Sequence, residues 1–443
     1  MSKTIAIIGG GASGALVVLN ILKQSTTPIH VLWFDEKKRF GKGLAYSTLD
    51  RAHLLNVKVS NMSVFEEEPL HFFNWLQKKN QSYDIDSFVP RCVYGKYITD
   101  TLHDLMNSNK LVTIDFIGEE VIAINKNENF EIKTPSEVRN AEQLVLAFGN
   151  FLPRHPRSLQ TKFENSAHYF RNAFDEKLVN SSILKNDVTI IGSGLTMIDV
   201  VVSLHQNNYK GKIKVISPHG YIPQAHSEQP LPIIKIDIDV TEKYSLLEIV
   251  RLVNQQLKNA KKNNTNWHFV IDALRPFVQN LWQNFTLKDK QTFLRHLRHK
   301  WGVARHRASS ESIGIINQLL EKKQLQVITG RIELIEAKNN GFDVHYNTVS
   351  NENLKFETEV IINCTGPESD FEKVEMPLIK QLLKDKIIAV DELHYGIKAN
   401  AHGEISKNTF TLGSSLKGLL WESTAIPEIR VQAKNIATIL LSK

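Results

Sequence analysis

The chain has 443 residues, 42% hydrophobic and 23% charged, an ordinary balance for a globular protein with material for two or three cores rather than a disordered one. Its formal charge of +7 suits anionic small ligands but is too small and too dispersed to argue for nucleic acid. The two cysteines, Cys92 and Cys364, make no C-x-x-C pair, which excludes a dithiol relay, and they are too few to hold an iron–sulfur cluster; no metal site is expected.

Residues 4–8 are a short β-branched run, the pattern of a strand buried on both faces. Gly9-Gly10-Gly11-Ala12-Ser13-Gly14 follows at once, and then a helix able to bury Ala15, Val18, Leu19 and Leu22 on one side. A second strand runs from Ile29 to Phe34 and ends at Asp35. The apolar run from Ile5 to Leu22 is interrupted by glycines, so it reads as strand–turn–helix rather than a signal peptide. No other stretch reaches the roughly 18 apolar residues of a membrane span, so a soluble, cytoplasmic protein is expected.

Each glycine of the turn has a mechanical task. Gly9 permits the tight turn, Gly11 lets a diphosphate approach the backbone, and Gly14 allows the helix to pack closely on the strand. The helix start at Ala12 and Ser13 offers free N–H groups and a positive dipole end to phosphates. Asp35 lies 21 residues after Gly14, where a carboxylate can accept bonds from ribose hydroxyls.

Residues 40–63 show no clear period and are rich in Gly, Asn, Ser and Thr. Gly41, Lys42 and Gly43 are candidates to wrap an adenosine–pyrophosphate, and Asn56 and Asn61 to reach a cofactor ring edge with Met62 packed on it. The alternative is an ordinary loop with Leu54 and Leu55 in the core; loops beyond about 12–15 residues are usually functional or disordered. A later strand, Leu144 to Phe148, ends in Gly149, which tolerates close approach and positive φ.

The strand–glycine–helix pattern recurs at 187–219. Gly192-Ser193-Gly194-Leu195-Thr196-Met197 is the turn, with Met197 in the place of the third glycine, so this helix is expected to sit further from its strand. The following strand, Ile213 to Ile216, ends in Ser217-Pro218-His219 with Lys212 and Lys214 nearby, and no carboxylate. A hydroxyl and an imidazole can donate to a 2′-phosphate that an acid would repel, which favours NADPH over NADH; the plainer reading is a simple turn.

Residues 230–307 read as a helical insertion covering a cleft. Leu246, Ile249, Val250, Val253 and Leu257 make one helical face, and a second, from Trp267 to Trp282, is kinked near Pro276. Its basic end, from Arg295 to Arg307, either recognises a phosphate or carboxylate or is a solvated cationic face. A strand from Val360 to Asn363 leads through Cys364, expected to be buried and inert, to Gly366. At the C-terminus, Thr409 to Leu412 is a strand and Gly413 a turn; Ser423 or Thr424 is the expected cap of a helix with Pro427 in its first turn. Glu428 and Arg430 read as structural ion pairs.

Two dinucleotide folds imply two nucleotides, and a flavin is the common acceptor of reducing equivalents from a nicotinamide. In flavoproteins of this build the acid-ended copy opens the chain; by that analogy the first copy takes FAD and the second NADPH or NADH. The stretches GGGASG (9–14), FGKGLAYSTLDRAHLLNVKVSNMS (40–63), FVPRCVYGKYI (88–98), IGSGLTMIDVVVSL (191–204), RHLRHKWGVARHR (295–307) and LWESTAIPEIRVQA (420–433) carry a family likeness. The chain resembles the YdhS-like bacterial FAD/NAD(P)-binding proteins and, more distantly, the two-dinucleotide flavin monooxygenases and N-hydroxylases, although the linker motif usual in those monooxygenases is missing.

The expected fold is α/β, with two Rossmann-like dinucleotide-binding domains, the FAD domain discontinuous (1–180 and 325–443), and an NAD(P) domain (183–324) bearing the helical insertion. The resemblance implies an FAD-dependent NAD(P)H oxidoreductase acting on a small-molecule substrate, with an N-hydroxylating monooxygenase using NADPH and O2 as its more specific form. The alternative is a nucleotide-responsive redox-sensing binding protein without turnover. No catalytic residue and no oligomeric state is assigned.

Overall fold

In the computed structural model, which describes residues 2–36, 39–156, 158, 159, 166–175, 178, 187–227, 234 and 236–442, each glycine turn sits at the head of a strand in its own parallel sheet. The first sheet has six strands in the order Glu404–Ser406, Thr409–Thr411, Gln143–Leu146, Lys3–Ile8, Ile29–Phe34, Val112–Ile117. All neighbours in it are parallel except the hairpin at its edge. Ile5, Ile7, Val31 and Trp33 face the helices Ala12–Gln24, Arg91–Ser108 and Ile426–Ser442. The alternate residues Ala6, Ile8, Leu32 and Phe34 face a small antiparallel sheet and the helix Pro377–Lys384. Both faces are therefore covered, which is why these strands read as unbroken apolar runs.

The second sheet has seven strands in the order Asn353–Thr358, Gly341–Thr348, Leu325–Lys338, Ile213–Ser217, Val188–Ile191, Val360–Asn363, Tyr169–Phe170. Residues 325–363, assigned from sequence to the first domain, thus pair in the second sheet. The physical reason is the long strand Leu325–Lys338. Its first part runs parallel to Ile213–Ser217, and after an irregularity between Ile332 and Leu334 it continues antiparallel to Gly341–Thr348. The chain returns to the first sheet only after Asn363. The expected boundaries at 180, 183 and 230 lie outside the described residues.

In each sheet the strand before the glycine turn lies between the next strand in sequence and one that arrives much later: Gln143–Leu146 in the first, Val360–Asn363 in the second. That arrangement opens a crevice at the carboxyl ends of the strands, where ligands of open α/β sheets bind.

The insertion is helical, as expected. Its first helix, Leu246–Lys262, is fixed at its start by a capping box: Ser245 Oγ accepts the Glu248 N–H, and the Glu248 carboxylate accepts the Ser245 N–H. The expected kink at Pro276 takes the form of a 3₁₀ turn, Arg275–Phe277, between the helices His268–Leu274 and Val278–Asn284. Among the described residues no helix is long and apolar enough to cross a membrane.

Candidate nucleotide-binding sites

At the first turn Gly9 has φ of +115°, and its N–H donates to Phe34 O at 3.0 Å. A Cβ on Gly9 would lie 2.2 Å from Ala147 O, and one on Gly14 would lie 2.2 Å from Gly9 O, so neither site admits a side chain. Trp33 Nε1 donates to Gly9 O at 3.1 Å and holds the turn from below. Gly10, whose need for glycine no local pattern announces, donates its N–H to Asp35 Oδ2 at 3.0 Å, and a Cβ there would lie 2.5 Å from the same side chain. Asp35 Oδ1 accepts the Arg39 N–H at 3.2 Å. The carboxylate is thereby fixed at the strand end.

The loop after Asp35 folds back over the turn. Gly41 N–H donates to Gly10 O at 2.8 Å, and a Cβ on Gly43, whose φ is +55°, would lie 2.7 Å from the Gly11 α-carbon. Lys42 lies half-buried against Gly95. The helix Ala12–Gln24 has no side-chain cap at Gly11 and no acid in its first turn, which leaves its N-terminal N–H groups available for an anion. A cleft of about 450 Å³ lined by Gly9, Asp35, Arg39, Gly43 and Phe148 adjoins this turn, within the usual size of a small-molecule site.

Three candidates widely separated in sequence converge at the same helix start. Gly413, with φ of +71°, backs onto Ser13, where a Cβ would lie 3.1 Å from Ser13 Oγ, and Ser414 Oγ donates to Gly149 O. Met62 does not join them. It is 2% exposed and packed in the core of the first domain, because the helices His71–Lys78 and Arg91–Ser108 close over it. Asn56 is half-buried, and its backbone oxygen faces His226 Nε2 at 3.0 Å; Asn61 is exposed.

The second turn repeats the first. Gly192 has φ of +101°, its N–H donates to Ile216 O at 2.9 Å, and a Cβ would lie 2.5 Å from Cys364 O. Gly194 begins the helix Leu195–Gln206 without a side-chain cap, and nothing within 4 Å would meet a Cβ on it. Thr196 is half-buried in the first turn of that helix, and Met197 is fully buried beneath it. Gly149 and Gly366, the glycines after the two late strands, have φ of +70° and +91° with open space beside each.

Ser217 is buried and spends its hydroxyl on the turn itself, accepting the Gly220 N–H at 3.1 Å and lying 2.9 Å from Ser193 Oγ. Lys214 is not near the strand end. Its Nζ reaches the opposite end of the sheet, 3.0 Å from Asp187 Oδ2. His219 instead stacks on Tyr221 (5.5 Å, 16°) and approaches His299 at 4.7 Å, whose Nε2 lies 3.0 Å from Arg298 Nη2. Burial, helped by the charges of Arg298 and His219, lowers the His299 pKa to about 4, so its ring is neutral at pH 7. The arginine absent from the sequence next to His219 is supplied by Arg298 from the basic end of the insertion, about 80 residues away in the chain.

The first nucleotide domain meets the helix of the second through a buried polar cluster. Arg91 Nη2 pairs with Asp199 Oδ2 at 2.8 Å, and Ser203 Oγ lies 2.9 Å from His53 Nε2 and contacts Asp50. Burial raises the Asp199 pKa against the opposing pull of Arg91. Burial also raises the thiol of Cys364, which keeps it protonated and unreactive.

The C-terminal stretch departs from expectation at its cap. The helix Ile426–Ser442 starts after Ala425, whose carbonyl accepts the Glu428 and Ile429 N–H groups. Ser423 Oγ is buried with no hydrogen-bond partner among the described residues, and Thr424 is exposed. Trp421 has φ of +59° and ψ of −67°, and Glu422 N–H donates to Leu420 O at 2.7 Å, a positive-φ γ-turn that a bulky residue adopts only under strain. The insertion clamps this turn: Trp301 Nε1 donates to Glu422 Oε1 and Trp282 Nε1 to Gly418 O, both at 2.8 Å. Glu428 is ion-paired, with Arg275 at 2.7 Å, whereas Arg430 donates to Ser63 O rather than to an acid.

Residues 6–151 match a family model described as FAD-NAD(P)-binding. The chain is 22% identical over 309 residues to the uncharacterized protein YdhS of Escherichia coli K12, a match covering 58% of this chain and 55% of that protein, so it spans about half of that relative. Its fold is that of ornithine hydroxylase (PvdA) from Pseudomonas aeruginosa in reduced form, with a TM-score of 0.70, 13% identity, and coverage of 100% of this chain and 99% of that one. The ornithine N-hydroxylase KtzI of Kutzneria sp. 744, with reduced FAD, NADP+ and L-ornithine, aligns with a TM-score of 0.66 and 13% identity over 99% of both chains. The α/β architecture is thus shared with these hydroxylases, of which KtzI is described with both FAD and NADP+, and the likeness to YdhS agrees with the family resemblance of the sequence motifs.

Proposed function

We propose that the protein is an FAD-dependent NAD(P)H oxidoreductase acting on a small-molecule substrate, with FAD at the Gly9 turn and NADPH, or NADH, at the Gly192 turn. The observation that carries this reading is the duplicated cradle. Each turn joins an uncapped helix start to a glycine pressed against the carbonyl of a late strand, Ala147 in one and Cys364 in the other.

FAD, when bound, supplies two-electron exchange between a nicotinamide and an acceptor such as O2. The chain supplies binding and orientation. The helix start at Ala12 and Ser13 meets the diphosphate, and Asp35 holds the ribose hydroxyls while itself fixed by Gly10 and Arg39. Gly149 and Gly413, with positive φ, bring backbone close to the same helix start. At the second turn Gly194 leaves room for a diphosphate, and His219 and the neutral His299 form a wall backed by the Arg298 guanidinium. That wall, and the lack of a carboxylate from Ser217 to Gly220, favours NADPH over NADH. The clamped Trp421–Glu422 turn limits water access between insertion and FAD domain. The N-hydroxylating form, with NADPH and O2, is the specific version that the structural relatives suggest.

The absorption spectrum of the purified protein tests the first half of this reading, since oxidised flavin absorbs near ~450 and ~370 nm whatever protein holds it. For the oxygenating version, O2 uptake with NADPH and candidate amines must yield product in proportion. Uncoupled peroxide release with every amine would contradict it.

A further inference from the structure

The helices of the insertion and Trp421 line an open cavity of about 950 Å³, at the upper end of the size range of small-molecule pockets. One wall is the apolar face of the helix Leu246–Lys262, including Ile249, Val253 and Leu257. The others carry four of the chain's six tryptophans: Trp267, Trp282, Trp301 and Trp421. Apolar walls of this extent facing water are stabilised when an apolar body covers them.

The charged groups on the lining are of one sign. Lys261 and Lys300 are exposed there, no aspartate or glutamate is among the described lining residues, and neither lysine's ammonium group has an ion pair or hydrogen bond among the described residues. The lining histidine, His268, has its pKa lowered to about 4 by burial and so is neutral at pH 7. An apolar body and a single anionic head match this distribution.

We propose that this cavity binds an apolar carboxylic acid, its hydrocarbon body among the tryptophans and its carboxylate at Lys261 and Lys300. Calling this ligand the substrate rests on the oxidoreductase reading; the binding does not. Trp421 connects the two. It lines the cavity, stacks on Trp282 (4.9 Å, 30°), and sits two residues before the buried Ser423 at the entry to the FAD domain's last helix. Trp421 thus joins the cavity wall to the strained turn that the insertion clamps.

The test is titration of the full-length protein with decanoate, decanol and decylamine, followed by tryptophan fluorescence, because most of the indoles line the cavity. Saturable quenching is expected with decanoate, weaker binding with decanol and the weakest with decylamine. The double variant K261E/K300E, which alters two exposed side chains, should lose about tenfold in decanoate affinity while keeping that for decanol, the scale of two exposed charge contacts. No saturable change with decanoate, decylamine binding as tightly, or decanoate affinity unchanged in K261E/K300E would each overturn the assignment. None of these readouts requires nicotinamide turnover, so failure here leaves the oxidoreductase reading standing, and failure of that reading leaves this result standing.

Discussion

Asp35 and Gly10 define each other. The carboxylate accepts the Gly10 N–H at 3.0 Å, and the space a Cβ would occupy on residue 10 is already filled by that carboxylate. The acid that marks the end of the second strand therefore shapes the turn as well as facing a ribose.

Gly10→Ala should displace Asp35 and weaken FAD binding, with a loss of about 1–3 kcal/mol in stability, the scale of overpacking a tight site. Thermal melting with and without added FAD checks both effects. Asp35→Ala leaves the turn sterically free, so it should lower FAD affinity with a smaller loss of stability.

At the second turn two glycines should separate structure from binding. Gly192→Ala meets Cys364 O and a φ of +101°, and should destabilise the fold by about 2 kcal/mol or more. Gly194→Ala meets nothing within 4 Å. It should change stability by less than about 0.5 kcal/mol yet weaken NADPH binding, because a methyl group enters the space left for a diphosphate. Calorimetric melts and NADPH titrations of both variants decide this.

Arg91 and Asp199 are a buried pair linking the first domain to the helix of the second. Asp199→Asn would leave the arginine uncompensated, at a cost of about 3 kcal/mol, and should lower the melting temperature measurably. Since the pair bridges two sheets, the variant should also melt in two steps where the parent melts in one.

Stability should fall on acidification before the carboxylates titrate. His226 and His268 have pKa values lowered to about 4, chiefly by burial and then by the charge of Arg307, from an ordinary 6.5. The folded state refuses protons that the unfolded state takes up, so their contribution is complete above pH 6.5 and is lost as pH falls towards 4. His226→Gln, which keeps a polar contact to Asn56 within reach, should flatten the pH dependence of the melting temperature across that window.

The glycine turns and their flanking strands were legible because their pattern is local: a buried run, a turn that only glycine can make, and a helix start. The strand Ile29–Phe34 falls where its residues place it. What was hidden depends on distant partners. Gly10 needs to be glycine only because Asp35 crosses over it, and Met62 is core only because two later helices cover it. Residues 325–363 join the second sheet through pairings that no local period announces. Arg298 and His299 reach His219 by way of the insertion's path, and Trp421 takes a positive φ under clamps from Trp282 and Trp301.

Anaerobic mixing of NADPH with the FAD-loaded protein tests the central claim most directly, by following flavin absorbance near ~450 nm. Two cooperating cradles predict bleaching at a rate that saturates with NADPH, and a marked loss of that saturation in Gly194→Ala. Flavin that stays oxidised under excess NADPH and excess NADH alike would contradict it.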